Sequence, residues 1–520
     1  MRKGYLLPLF LLAFLLVHGQ QHTLPDTPGL FRLDYQPGVF KDSGRIKKIM
    51  AAVPAVEKIY RDYAQKNHFP GVAFGIVADG RLVYWGGIGY TDLSKQTPVT
   101  ANSLFRIASM TKSFTAMAIL KLRDEGMLSL EDPVYRYIPE MEKMPSLTAD
   151  APPITIRNLM SHSAGFPEDN PWGDRQLAAP DDELTQLIKK GISLSNVPGA
   201  EYEYSNLGFA MLGKIITKVA GKPYQQYITE NILLPLGMRH TIWEYTRAPE
   251  ELLAHGYRWL NEKWNEEPLL HDGAYGAMGG LITSLEDFSR YMAYHLSAWP
   301  PRNETDKGPV KRSSLREMHQ PRTFSSHNLS FKYPSGRACP TINFYNYGLR
   351  WTRDCEGRVF VGHTGGLPGF GSQWWVLPDY GIGVVAMANL TYASLSTPNW
   401  AALDAIIANA DLHPRQLPVS PILAERKKQL LALLPDWKDA EKSGIFAVNF
   451  FKDNPLDSLK TNCRSLFAKA GRIKRITELI PDNQLRGAFL IEGENGNIRV
   501  FFTLTPENPA LIQELVIAPH

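Results

Sequence analysis

Ser109 and Lys112 stand three residues apart in the stretch "IASMTKSF", 107 to 114. On a helix, positions i and i+3 share a face, so the serine hydroxyl and the lysine amine come within hydrogen-bond reach. A hydroxyl with a base beside it does acyl transfer: it attacks an ester or amide carbonyl while the base takes its proton. A serine in the first helical turn brings a further benefit, because its own backbone N–H is one of the helix's unpaired donors and faces a developing oxyanion. The same residues also suit a capped helix carrying an ordinary surface lysine, since Ser is a favoured N-cap. This is the one S-x-x-K in the chain, and neither a complete G-x-S-x-G nor a Walker A motif accompanies it.

Two further stretches decide between these readings. In "EYEYSNLGF", Tyr204 and Asn206 flank Ser205 and project to the same side of an extended loop. In "VFVGHTGGLPGF", His363, Thr364 and Gly365 end a β-rich run. The order S-x-x-K, Y-x-N, [KH]-T-G resembles the serine β-lactamase and penicillin-binding-protein superfamily. More narrowly it is similar to the class C-like branch of esterases, D-aminopeptidases and β-lactamase-related hydrolases. The stretches "ITIRNLMSHSAGF", "PLGMRHT" and "GAMGGLITSLEDFSRY" add to the likeness, which covers about residues 45 to 405. The resemblance implies Ser109 as acylated nucleophile, Lys112 beside it, and Tyr204 as partner base or proton relay. It implies Asn206, His363, Thr364 and Gly365 as substrate-binding residues, and the backbone N–H groups of Ser109 and Gly366 as the oxyanion hole. No cofactor and no metal is implied.

Unperturbed Tyr and Lys titrate at about 10 and 10.4, close enough to share a proton, and an ammonium nearby favours phenolate. One position departs from the commoner pattern. Where β-lactamases and penicillin-binding proteins usually carry Lys, this chain has His363, which supplies less fixed positive charge for a substrate carboxylate. Esters and uncharged amides therefore become better substrates than β-lactams or peptide C-termini, and His363 is free to hydrogen-bond Tyr204. The alternatives are a β-lactamase or D-Ala-D-Ala carboxypeptidase, and an inactive binding homologue. His162 reads as a structural loop residue. Trp374 and Trp375 alternate across a strand, one to each face, with core as the default for both.

The elements that position these residues follow from patterning. Helical spacing runs over residues 45 to 66, and "GVAFGIVADGRLVYWGGIG" reads as a hairpin turning at Asp79-Gly80. A helix starts near Ser109 and stops at Gly126. Residues 130 to 330 are rich in helix, loop and proline, and from Tyr347 "YGLRWT", "RVFVGHTGG", "GSQWWVLP" and "GIGVVAMANL" read as successive strands. Strands at both ends with helices between predict an α/β (α+β) domain: a mainly antiparallel sheet closed by non-local pairing, flanked by helices, with an all-helical and loop subdomain. It is assigned residues 44–410, after an extension at 21–43. A proline-rich linker at 411–421 leads to an accessory α+β domain at 422–520, helices followed by a four-stranded meander, similar in outline to cystatin-like or NTF2-like folds.

Composition bounds the rest. Lys+Arg number 56 against 52 Asp+Glu in 520 residues, with no long run of one sign, which recommends neither a nucleic-acid groove nor a polybasic membrane patch. The expected partner is a small-molecule or peptide substrate; spacing says nothing of oligomeric state. Arg2 and Lys3 followed by an apolar run to Val17 and small polar residues read as a signal peptide over 1–20, so the expected location is secreted or periplasmic with no integral membrane segment after cleavage. Cys339 and Cys355, flanking "INFYNYGLRW", are the one plausible disulfide pair, or else two buried thiols.

Overall fold

The computed structural model describes residues 35–520 apart from Pro171; the signal-peptide reading at 1–20 and the extension as far as residue 34 lie outside the described residues. The hairpin expected at Asp79-Gly80 forms between Gly71–Ala78 and Arg81–Asp92, with both turn residues at positive φ as a tight two-residue hairpin demands. Gly71–Ala78 then pairs antiparallel with Ile382–Ala388, residue for residue from Val72↔Ala388 to Ala78↔Ile382. That non-local contact joins the two ends of the region 44–410 into one nine-stranded antiparallel sheet. From Ile382–Ala388 it continues through Phe370–Leu377, Val359–Leu367, Arg350–Arg353, Thr341–Tyr345 and Thr323–Asn328.

Helices cover both faces of this sheet. Arg45–Lys66 and Ser396–Asn409 pack together on one face, and Leu285–Leu296 lies on the other. This explains why Gly71–Ala78, Phe370–Leu377 and Ile382–Ala388 are buried at every position rather than at alternate ones. Trp374 and Trp375 do point to opposite faces, and both are buried because each face has a core of its own. Beyond Leu285–Leu296, the helices Thr111–Asp124 and Asn206–Ala220 pack against each other at the centre of the larger core. Thr111–Asp124 is buried on nearly all sides, which removes its Lys112 from water.

The stretch "INFYNYGLRW" and the residues flanking it form two strands, Thr341–Tyr345 and Arg350–Arg353, because Gly348 adopts a positive φ that turns the chain back. A side chain at Gly348 would lie 2.5 Å from the Lys112 carbonyl, so the turn presses directly on the backbone that carries the lysine. Cys339 and Cys355 are joined by a disulfide at the far end of this hairpin.

Residues 35–43 and 411–416 are less free than a lead-in and a linker read from composition. Val39 pairs with Gln416, and the Phe40 ring lies under the guanidinium groups of Arg45 and Arg415. Past this point the helices Pro421–Leu433 and Leu456–Ala470 and a five-stranded antiparallel sheet enclose a separate core around Trp437, Phe450, Phe489, Val500 and Phe502. The sheet has five strands rather than the four of the expected meander, because Ile473–Ile476 is followed by a further short strand, Ile480–Asn483, both pairing with Arg486–Gly493; the chain bends between them to bury Leu479. Every described hydrogen bond, ion pair and aromatic contact made by residues 420–520 stays within those residues. Cutting the chain at Leu417-Pro418 is therefore expected to yield two fragments that each unfold cooperatively, checked by calorimetry of each fragment against the whole protein.

Candidate active site

Ser109 is not the cap of a helix. It sits in a single 3-10 turn, Ala108–Met110, and the α-helix Thr111–Asp124 that follows has no side-chain cap. Ala108, just before the serine, holds φ at 48°, a left-handed conformation that costs a non-glycine residue about 1–3 kcal/mol and persists only where surrounding contacts enforce it. Those contacts are visible. Ile107 N donates to Leu281 O, Ser372 Oγ donates to Ile107 O at 2.8 Å, and Leu281 N donates to Thr111 Oγ1 at 3.2 Å. The turn leaves Ser109 partly exposed while its neighbours on both sides are buried.

Lys112 Nζ lies 3.0 Å from Ser109 Oγ, 2.7 Å from Asn206 Oδ1 and 2.8 Å from Met278 O. Asn206 Nδ2 donates to Trp172 O at 3.0 Å, which fixes the amide so that its oxygen faces the lysine. Two of the three neighbours of Lys112 are thus acceptors only. A neutral amine, with two N–H donors and one lone pair, satisfies both and turns its lone pair to the serine hydroxyl. Burial drives the amine toward that form, lowering Lys112 from its usual range to about 7 against the opposing pull of the nearby Asp174 and Asp169 carboxylates.

Tyr204 and Asn206 are set at the start of the helix Asn206–Ala220. Ser205 caps that helix through Gly208 N, and Asp169 accepts from the backbone N–H groups of Asn206 and Leu207 and from Ser205 Oγ. The ring of Tyr204 stands 5.0 Å from Lys112 Nζ, and Ser109 is among the groups that bear on its hydroxyl. Sequence reasoning has the ammonium drawing Tyr204 toward phenolate; the structure reverses this, because burial raises the phenol well above its usual range and outweighs the Ser109 and Arg350 contributions. Burial thus favours the neutral form of both groups, the amine of Lys112 and the phenol of Tyr204.

His363 is fully buried beneath the site rather than free at its edge. Its Nδ1–H donates to Thr364 O and its Nε2 accepts from Tyr345 Oη at 2.8 Å, so the partner expected in Tyr204 is Tyr345 instead. The buried ring is held neutral by desolvation, with Arg350 and Lys112 adding to the effect. Thr364, Gly365 and Gly366 are partly exposed along the strand Val359–Leu367, beside the Ala108–Met110 turn. Gly365 is required by this approach: a methyl group there would lie 2.2 Å from Ile107 O and 2.3 Å from Ser372 Oγ. Gly366 faces the ring of Tyr392.

Four residues that spacing rules did not single out complete the site. His162, read as a loop residue, accepts from Ser205 N at 3.1 Å and packs its ring, tilted, against Tyr204 and Tyr345, each with centroids 4.3 Å apart. Asp169 and Asp174 sit on a loop whose place beside Asn206 is fixed only by tertiary structure. Arg350 lies 5.8 Å from the Tyr204 ring, and its Nε has no described partner. Nothing in its sequence neighbourhood marked Arg350, which shares the short strand Arg350–Arg353 with an exposed second arginine.

A helix-flanked antiparallel sheet holding a serine, a neutral-tending lysine and a protonated tyrosine in mutual contact defines a serine acyl-enzyme hydrolase. The Beta-lactamase family profile matches residues 56–408. Protein flp of Staphylococcus aureus (strain MW2) is 31% identical over 382 residues, 72% of this chain and 70% of that protein. Among solved structures, the octameric penicillin-binding protein homologue from Pyrococcus abyssi superposes with a TM-score of 0.57 at 21% identity, covering 90% of this chain and 98% of that one. D-alanine carboxypeptidase AmpC from Burkholderia cenocepacia gives a TM-score of 0.54 at 19% identity, covering 69% and 99%. The chain belongs to the beta-lactamase family, within the serine β-lactamase and penicillin-binding-protein superfamily.

Proposed function

We propose that this chain is an exported hydrolase that cleaves ester or amide bonds of small or peptidic substrates through an acyl-enzyme on Ser109. The observation that carries the reading is the donor count at Lys112: its two pure acceptors leave one lone pair, and that lone pair meets Ser109 Oγ. Ser109 Oγ attacks the carbonyl carbon while its proton passes to Lys112 Nζ. The oxyanion is held by the N–H groups of Ser109 and Gly366. Collapse breaks the bond to the leaving group, which receives a proton from Tyr204 Oη as Lys112 returns one to Tyr204. Water then attacks the acyl carbon as its proton passes to Lys112, and the bond to Ser109 Oγ breaks as Lys112 returns that proton to Oγ, which releases the acid and restores the free serine and the neutral amine. Support for export comes from the Arg2-Lys3 and apolar opening of the sequence and from the disulfide, which belongs to oxidising compartments. N-terminal sequencing of the mature protein tests it, and an intact N-terminus would overturn it.

The direct test is intact-protein mass spectrometry after exposure to a fluorophosphonate, a short-chain aryl ester, a D-amino-acid amide and a penicillin. The expected result is a Ser109 adduct with the fluorophosphonate and the ester; no adduct with any of the four would favour an inactive binding homologue. A second reading, a β-lactamase or D-Ala-D-Ala carboxypeptidase, is favoured by one observation. Arg350 places a guanidinium with an unpartnered Nε beside Tyr204, a positive charge that His363 does not supply. On that reading Arg350→Gln lowers penicillin acylation by about 10- to 100-fold, the range of a lost charge-assisted hydrogen bond, and leaves the aryl ester rate nearly unchanged.

A further inference from the structure

The strand Val359–Leu367 has one neighbour fewer at its functional end. Its pairing with Arg350–Arg353 stops at Arg350↔Gly362, while its pairing with Phe370–Leu377 runs on from Val361 to Leu367. Residues 363–367 therefore have one edge without a strand partner among the described residues. Alternate residues of a strand turn their N–H and C=O groups to the same edge. The edge that presents Gly366 N–H to an oxyanion thus also presents Thr364 C=O, whose partial negative charge opposes the one to be stabilised.

His363 answers that carbonyl. Its Nδ1 stands 2.5 Å from Thr364 O, and because a carbonyl only accepts, this nitrogen carries the proton. The ring is fully buried and neutral, so Nε2 is a lone pair in need of a donor. Tyr345 Oη supplies it at 2.8 Å. Tyr345 is itself fully buried, which keeps its phenol protonated and able to donate. Its ring is fixed independently of the hydroxyl, with centroids 4.3 Å from His162 and 6.3 Å from Tyr204. Donation runs from Tyr345 Oη through the imidazole to Thr364 O, and the tyrosine sets its direction. Without that hydroxyl the imidazole is free to carry its proton on Nε2, which turns the Nδ1 lone pair against the carbonyl oxygen.

We propose that Tyr345 is a positioning residue of the oxyanion strand: by donating to His363 Nε2 it fixes the Nδ1–H tautomer, which holds the Thr364 carbonyl and with it the peptide groups leading to Gly366. The proposal rests on the acyl-enzyme reading above, in which Gly366 N–H faces the oxyanion, and deepens it. Tyr345 and His363 act on the reacting atoms only through the strand.

The test joins nitrogen-15 NMR of the histidines in the full chain to the rate of Ser109 labelling by a fluorophosphonate, resolved into kinact and KI. The His363 signals are assigned by their loss in His363→Asn. The expected tautomer is Nδ1–H in the wild type and Nε2–H in Tyr345→Phe, with kinact lowered about 10-fold by Tyr345→Phe and KI within about 2-fold. An amide at position 363 donates to Thr364 O with no tautomer to fix, so in the His363→Asn background Tyr345→Phe is expected to cost less than about 3-fold. Three results would each overturn the positioning role while leaving Ser109 labelling, and the hydrolase reading, intact: an Nε2–H wild-type ring, an unchanged kinact in Tyr345→Phe, or an equal cost in both backgrounds. The last would assign the loss to packing of the tyrosine. Absence of labelling in the wild type would overturn both readings. The wild-type tautomer is measured without Tyr345→Phe, so an Nε2–H ring there overturns the proposal even if that variant does not fold.

Discussion

Ser109→Ala is expected to lower kcat/KM for any hydrolysed ester by at least about 10⁴-fold with almost no loss of stability. The loss is large because no other group stands where it could take over: Thr111 Oγ1 is engaged with Leu281 N, and Ser113 Oγ donates to Met110 O. Direct attack by water would have to recruit Lys112 without the alignment that the turn imposes on Ser109. The stability expectation follows from the same geometry. Ser109 caps no helix, the one described hydrogen bond of its hydroxyl is to Lys112, and alanine keeps the backbone of a turn already clamped by Leu281, Ser372 and Thr111. A strained, functionally arranged site often stabilises when disarmed, so Tm is expected to stay level or rise. Steady-state kinetics and scanning calorimetry on the same preparation check both halves. Hydrolysis at the wild-type rate would remove Ser109 from the mechanism, and a fall in Tm of several degrees would show that the hydroxyl supports the fold.

How much of this was legible in the sequence depends on how local each feature is. The juxtaposition of Ser109 and Lys112 was readable because one turn of chain brings them together. The alternation of Trp374 and Trp375 was equally local, as was the turn at Asp79-Gly80. The left-handed Ala108 was not readable, because local propensity makes Ser109 a helix cap; the turn is imposed by Leu281 and Ser372, far away in sequence. The same holds for Asp169, which looks like any loop aspartate until the Asn206–Ala220 helix is brought against it. His363 shows the converse error. Its motif position was plain, but burial decides what an imidazole does, and burial here turns it to Tyr345 and Thr364. The direction of the Tyr204 shift failed for the same reason: a neighbouring cation was legible as a possibility, and the larger desolvation was not.

Lys112→Arg is expected to abolish hydrolysis as completely as Lys112→Met, by at least about 10³-fold, although only the first keeps a cation at the site. The pair of variants separates two roles for the lysine. If Lys112 merely stabilised negative charge, arginine would retain much of the rate. If it accepts the Ser109 proton, arginine fails, because its guanidinium stays protonated at every working pH. The wild-type pH profile gives an independent reading of the same group. With burial bringing Lys112 down to about 7, the neutral fraction grows as pH rises through that value, so kcat/KM climbs from the acid side and levels above it. Stability carries the matching signature. The folded lysine has the lower pKa, so between about 7 and its unfolded value of about 10.4 the unfolded chain binds the extra proton, and folding stability gains with rising pH. Lys112→Met lacks that gain, so the wild type should improve relative to the variant over this window. The buried Asp174 carboxylate, raised to about 6, acts with opposite sign and below the window, as its folded form holds a proton that the unfolded chain has released. Chemical unfolding of wild type and Lys112→Met at pH 6, 7, 8 and 9 checks the slope. A constant difference across these values would mean that Lys112 stays charged, and the neutral-base mechanism would fall with it.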